Sequence, residues 1–467
     1  MDFIERDSMN AGLFFDNKED DDNDYDHDLE MHMAKYRRMQ QDRDNDIMDM
    51  MGNDRDDNMV YPTMLHGRRS VEYTTPLRNS CPKGLYNFGN TCYMNVIIQC
   101  MLSLKSFTKF INSDESKMLL LENAKRTTTN TSEMLNKINE SVTFQLKGVF
   151  NMLLDKNNAK SNVRPSLLKR CLGTKSEVFE GNDQQDVAEA LCVIFDLIHQ
   201  EHCQDTVTVP NTDELGKACD LHWGKTNSPM NSLFHSMCQE IKSCRSCSYK
   251  SSIHCPYALM HLDIPQMPKN FNIDYSKYLI IRCVNQSIKL HDDEIVAMTS
   301  QLSRTTKLQI EALDKSKREK THVFTIAECI SNYFKPSNID CATCSECQSQ
   351  GYIQKTKISI VPKILTIQIK RFERENKKFN PIELRERINF QINKKDHFYE
   401  ISAVICHSGM TMYSGHYYMY GKNRTSDSIE PEKWFCFNDC SVSPSSFSEI
   451  DISDVYMIFY ELVTTDV

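Results

Sequence analysis

The chain has 467 residues, 40% of them apolar, enough for one sizeable core or two to three smaller ones. Its formal charge is −9, but residues 1–58 hold 19 acidic and 7 basic residues, a net −12, so residues 59–467 sum to +3. A nearly neutral body argues against a broad nucleic-acid surface, and no run approaches the 18 apolar residues of a transmembrane helix.

The start, MDFIERDSMN, lacks the basic and apolar regions of a secretion signal. Nineteen cysteines, an odd number in a long chain, point to an intracellular protein with free thiols and room for a metal site, not to a secreted disulfide scaffold. Residues 1–58 are rich in aspartate and poor in apolar surface, so they read as a disordered acidic tail. Within it Leu29, Met33 and Tyr36 recur at helical spacing and allow a short helix over 28–41. Residues 59–80 form a connector, and the folded part begins near Cys81.

Met94, Ile97, Ile98, Met101 and Leu104 make an apolar stripe that calls for a helix starting near Cys92. Helical patterns continue to about residue 203, most clearly in DQQDVAEALCVIFDLIHQ, where Val187, Leu191, Ile194 and Ile198 share one face. From Leu233 onward short strand patterns alternate with turns. TKISIVPKILTIQIKRF holds two strands separated at Pro362, and EISAVICHSG, GHYYMYGKN, KWFCFND and VYMIFYEL follow. Residues 281–322 are charged and polar, which suits an insertion or a solvated helix and not core. Helices first and strands last define an α+β class.

Two glycines and two asparagines precede the helix that opens at Cys92, in GLYNFGNTCYMN. Unpaired N–H groups and the helix dipole there favour a thiolate and supply donors for an oxyanion, and Asn87 could add its amide. A base is available in HSGMTMYSGHYYMYGKN: His416 lies at the mouth of an aromatic strand, whereas His407 lies further back, before the glycine turn. In WFCFNDCS, Trp434, Cys436 and Asn438 share a face by the period of two, so Asn438 could fix the tautomer of His416, with Asp439 the alternative orienter.

Two knuckles, Cys244-Arg-Ser-Cys247 and Cys344-Ser-Glu-Cys347, offer four thiolates for tetrahedral zinc, with 96 residues between Cys247 and Cys344. Cys341-Ala-Thr-Cys344 has the same spacing and leaves the second knuckle open to two registers; Cys238 and Cys255 are further candidates. An all-thiolate set leaves no open position for water, so such a zinc is structural.

Three blocks together resemble the ubiquitin-specific protease family of cysteine deubiquitinases: GLYNFGNTCYMNVIIQCM its cysteine box, NDQQDVAEAL the block after its thumb helices, and YSGHYYMYGKN with WFCFND its histidine box. LMHLDIP and IVPKILTIQIKRFE agree as well, and the likeness covers residues 81–462. The resemblance implies a papain-like catalytic domain of thumb, palm and fingers over 81–462. Its fingers would lie around 233–260 and 323–360, its charged insertion around 281–322, and a short tail over 463–467. It places the nucleophile on Cys92, the base on His416, the orienting residue on Asn438, an assisting acid on Asp439 and the oxyanion amide on Asn87. Gln184, Asp186 and Glu189 fall on positions lining the cleft for the basic ubiquitin tail, and Gly409 and Gly415 flank a mobile blocking loop.

The chain departs from the family at Val187, Ala188 and Ala190, where a small residue, a histidine and an aromatic are more usual. Register with KRF favours Cys344 and Cys347 as zinc ligands. Within the family the features resemble the histone-deubiquitinating subunit of the SAGA transcription coactivator. That likeness implies a nuclear or cytoplasmic enzyme acting on ubiquitinated proteins with adaptor subunits, without membrane or direct nucleic-acid contact. Members of that type usually carry an additional N-terminal zinc-binding domain, whereas the same territory here is an acidic tail without a cysteine before Cys81. Two competing readings are a catalytically weak ubiquitin-binding scaffold that needs partners and a zinc-stabilised adaptor. The complete Cys92, His416 and Asn438 set argues against the first, and the near-neutral body against the second.

Overall fold

In a computed structural model the described residues are 82–155, 162–204, 213–224, 227–265, 281–283, 286–288, 322–373, 376–392, 394–411, 414–423 and 433–463. The acidic tail, the connector and most of the insertion over 281–322 lie outside them. The first half is helical: α1 (Cys92–Ser103), α2 (Lys105–Ile111), α3 (Asp114–Thr127), α4 (Thr131–Asn139), α5 (Val142–Leu154), α6 (Ser166–Gly173), α7 (Val187–Glu201), α8 (Glu214–Trp223) and α9 (Pro229–Phe234). The sequence pattern suggests a stripe on α1, but the helix is buried all round, with Tyr93, Val96 and Cys100 as covered as Met94 and Ile97. A helix buried on every side, its polar Asn95, Gln99 and Ser103 included, belongs inside a core, and α1 carries the thumb against the sheet.

Most of the described strands fall into two large sheets, with three two-stranded ribbons beside them. The fingers consist of β1 (Ser236–Cys244), β2 (Lys250–Tyr257), β4 (Ser337–Thr343) and β5 (Gln350–Ile360), in the order β2-β1-β5-β4. The palm takes β3 (Leu259–Asp263), β6 (Ile364–Lys370), β8 (Lys395–Thr411), β9 (Ser414–Asn423), β10 (Lys433–Asn438), β11 (Ser441–Ser445) and β12 (Val455–Leu462), in the order β11-β10-β9-β8-β12-β6-β3. A further strand, β7 (Arg387–Ile392), pairs with β8. Pro362 falls in the turn where the chain leaves the finger sheet at Ile360 and enters the palm at Ile364. The fingers are narrower than the sequence spans imply, because β3 pairs in parallel with β6 in the palm, and α10 (Ile326–Tyr333) packs there too.

Alternation splits the palm's side chains between two cores. Tyr417, Met419, Phe435, Phe437, Ala403 and Ile405 meet the thumb helices. Tyr418, Tyr420, Trp434, Val404 and Cys406 belong to the second core, on the other face, which also takes in Ile326 and Cys329 of α10. Between these layers Arg371 is fully buried, donating to the carbonyls of Val455, Lys378 (2.9 Å), Asn380 (2.9 Å) and Ile452 (3.1 Å). Burial pulls its guanidinium down to about 10, against the carboxylate of Asp454. Its hydrogen bonds join the end of β6 to the start of β12, the strand that pairs directly with β8 of the histidine hairpin.

Candidate active site and cysteine cluster

The loop before α1 is stitched to the far end of the chain. Leu85 N donates to Asp439 O at 2.9 Å, and a Cβ on Gly84 would lie 2.5 Å from that oxygen, so only glycine fits. Gly89 (φ +93°) and Asn90 (φ 55°) then turn the backbone left-handed into Thr91. Asn87 Oδ1 accepts from Gly89 N, Thr91 N and Thr91 Oγ1, each at 3.0 Å. The Thr91 hydroxyl is thereby committed to the loop and does not cap α1. The first N–H groups of the helix, beside Cys92, remain available to an incoming oxyanion. Cys92 itself is 1% exposed.

The opposite wall is the β8–β9 hairpin. A Cβ on Gly415 would lie 2.4 Å from His407 Nε2, and one on Gly409 2.7 Å from Gly415 Cα. These two glycines let the strands close tightly just before His416. His416 Nε2 meets Asn438 Oδ1 at 2.6 Å, which leaves Nδ1 as the ring nitrogen for the Cys92 sulfur. The hydrogen bond from the imidazolium to Cys92 raises His416 to about 9, against burial, and Asn438 adds to the rise. Cys92, His416 and Asn438 are thus brought together from α1, β9 and β10.

Asp439 behaves differently from an orienter of His416. It lies 3.9 Å from Nε2, while its oxygens accept from Asn87 Nδ2 at 2.9 Å and from Asn95 Nδ2 at 2.8 Å. His407 is buried against Phe372 and Tyr417, and burial followed by the charge of Lys377 lowers it to about 4. It packs in the palm as a neutral ring.

Of the three cleft positions, Gln184 donates its amide to Gly415 O, linking the thumb to the backbone next to His416. Asp186 caps α7, accepting from Ala188 N (2.8 Å) and Glu189 N (3.1 Å). Its second oxygen accepts from Tyr456 OH (2.6 Å) and Tyr417 OH (3.5 Å), so this carboxylate ties α7 to two palm strands. Glu189 is exposed on the first turn of α7. Sequence reasoning did not single out Tyr417, Tyr456 or Asn95. Only Asn95 carried a signal, as a polar residue three positions after Cys92 in line with Gln99 and Ser103 on a helix rich in apolar residues.

At the finger tips the sulfur atoms of Cys244, Cys247, Cys344 and Cys347 lie within 4.8 Å of one another. Cys244 to Cys347 is 3.7 Å and Cys247 to Cys344 is 3.8 Å. A tetrahedron with Zn–S bonds of about 2.3 Å has S···S edges of roughly 3.8 Å, so the thiols fit a four-coordinate ion. Backbone N–H groups of Cys347 and Glu346 aim at the Cys344 sulfur and draw its thiol down to about 6. Exposed Cys341 stands outside the cluster, while Cys238 and Cys255 face each other lower on β1 and β2. Four thiolates at this spacing can hold a metal ion.

An α+β fold of thumb helices, palm and fingers, with a cysteine at a helix N-terminus facing a histidine and an asparagine, defines the class. The family described as ubiquitin carboxyl-terminal hydrolase matches residues 83–322 and 297–460, and the chain belongs to that family. Among curated proteins it is 25% identical over 405 residues to ubiquitin carboxyl-terminal hydrolase 2 of Bos taurus, covering 82% of this chain and 55% of that protein. Against ubiquitin carboxyl-terminal hydrolase 8 of Saccharomyces cerevisiae it is 24% identical over 408 residues, covering 81% and 70%. The chain thus spans about half the length of the bovine relative. Among solved structures, the SAGA Ubp8/Sgf11/Sus1/Sgf73 DUB module bound to ubiquitin aldehyde aligns with a TM-score of 0.54 at 20% identity. That alignment covers 82% of this chain and 70% of the other, and shows the shared fold.

Proposed function

We propose that the chain is a thiol-dependent deubiquitinase that hydrolyses the bond after the terminal glycine of ubiquitin, with residues 81–462 as its catalytic domain. The reading rests on one observation: His416 bridges Cys92 and Asn438 at the N-terminus of α1. Cys92 attacks the carbonyl, and the negative charge developing on its oxygen meets the Asn87 amide and the first N–H groups of α1. His416, held protonated by the sulfur, gives its proton to the leaving lysine amine and then takes one from the water that cleaves the thioester. Asn438 keeps the ring facing Cys92. Gln184 closes the thumb side of the channel, and Glu189 is free to meet the basic ubiquitin tail.

Zinc is the ion proposed for Cys244, Cys247, Cys344 and Cys347, where it would clamp two hairpins of the fingers. The finer reading extends to histone or other nuclear substrates and to adaptor subunits, following the motif set of the sequence. The test of the main reading is a ubiquitin derivative with an electrophilic C-terminus. It should form one covalent adduct, which peptide mapping places on Cys92. No adduct on the folded chain, or one on another cysteine, would sink the proposal.

The histidine also sets a pH dependence. Because His416 is raised to about 9, its role as proton donor persists through neutral pH and is lost as pH climbs through that value. The stability contributed by the pairing follows the same sign: complete below about pH 6.5, lost through about 9. Asn438→Ala removes a raising contact, so the basic limb of the kcat profile should move to lower pH. A profile unchanged in that variant would show that Asn438 does not act on the ring.

A further inference from the structure

We propose that Asn95 is a positioning residue for the oxyanion site: it holds Asp439, and Asp439 holds the amide of Asn87. The inference rests on the deubiquitinase reading above and concerns the division of labour within that site. Asn95 lies one turn into α1 from Cys92 and is 2% exposed. Its Nδ2 donates to Asp439 Oδ1 at 2.8 Å and to Tyr86 O at 3.2 Å. Both partners are pure acceptors, so the amide cannot flip without losing both bonds. Its own Oδ1 is left buried without a partner among the described residues. A side chain that leaves an acceptor stranded in the core is held there by what its donors do.

Those donors fix one end of a chain of contacts. Asp439 is a turn residue at φ 49°, a conformation that places its carboxylate between the two asparagines. Its Oδ2 accepts from Asn87 Nδ2 at 2.9 Å. Asn87 Oδ1 is filled by Gly89 N, Thr91 N and Thr91 Oγ1, so both ends of this amide are clamped. One N–H of Asn87 Nδ2 serves Asp439, and the second is left for the developing oxyanion. His416 already has its hydrogen-bonded partner in Asn438 at 2.6 Å, and Asp439 stands off at 3.9 Å. Asp439 therefore spends its hydrogen bonds on the two asparagines and reaches the base only through its charge.

The two roles separate experimentally, because alkylation of a cysteine needs the thiolate and its base but no oxyanion donors. In the full chain, Asn95→Ala should lower kcat on a ubiquitin C-terminal fluorogenic amide on the order of 10²-fold. KM should stay within about threefold. The rate of Cys92 alkylation by iodoacetamide, and its pH profile, should match wild type. In an Asn87→Ala background, adding Asn95→Ala should cost less than about threefold more, since both remove the same donor. Asp439→Asn should lose kcat in the same way and keep the plateau rate of alkylation, its pH profile alone moving as the charge that raises His416 is removed. It carries the test should Asn95→Ala melt too low to assay. An inactive wild type would overturn the deubiquitinase reading and this one with it. An active wild type whose variants keep hydrolysis, or lose alkylation in parallel with it, would overturn this inference alone.

Discussion

Cys92→Ala and His416→Ala should each lower kcat/KM on a ubiquitin C-terminal amide by about 10⁴-fold or more, and the double variant should be no slower than the worse single one. Without the sulfur no thioester can form. Without the imidazole, nothing holds a proton ready for the leaving amine, and Asn438 has no ring to orient. Because the two groups act as one unit joined through the hydrogen bond to Cys92, their losses do not add. The surrounding structure should survive both changes. Cys92 is one of eleven buried residues on a twelve-residue helix, and His416 sits on a strand fixed on both sides by β8 and β10. Steady-state kinetics with thermal melting as the control would check this. Single-variant losses below about tenfold would assign the nucleophile or base to other residues.

The second large effect concerns the fingers. Purified protein should contain about one zinc per chain, and Cys344→Ser with Cys347→Ser should remove it and unfold the finger sheet. The tip buries only Cys244, Cys344 and Tyr352, with Ile339, Ala342, Cys247 and Tyr249 partly covered. That is too small a core to hold four strands, and small modules of this kind depend on a staple. Structural zinc sites supply about 10–16 kcal/mol in peptide modules, comparable to the whole stability of a domain at about 5–15 kcal/mol. Hydrogen exchange should therefore lose protection across β1, β2, β4 and β5 while α1 and the palm strands keep theirs. A metal-free protein with protected finger amides would refute the clamp.

Much of the architecture could be read from local pattern. The start of α1, the strands on either side of Pro362 and the histidine hairpin are encoded by periodicities of 3.6 and 2, which neighbouring residues carry. Sheet membership was not legible. Pro362 marks a break between Ile360 and Ile364 but not that they end one sheet and begin another, because partners 123 and 97 residues away, Met237 and Glu461, decide the pairing. In the site, the types and order of Cys92, His416 and Asn438 could be read from motifs. Asp439 could not be assigned, since its choice between His416 and Asn87 is a matter of ångströms set by the turn at φ 49°. The knuckle register was similarly open until β4 and β5 placed Cys344 and Cys347, and not Cys341, beside the first knuckle.

The hydrogen bond from Asn87 to Asp439 spans 352 residues of chain. A ribosome adds roughly 5–20 residues per second, so the thiol emerges on the order of tens of seconds before its base and its clamped amide exist. Helices α1 to α7 can collapse on one another during that interval, but α1 lacks the sheet that covers its other side. A nascent or prematurely released chain therefore bears the cysteine and none of the chemistry. In the enzyme proposed above, the nucleophile gains its base only once β9 and β10 have been made and have paired.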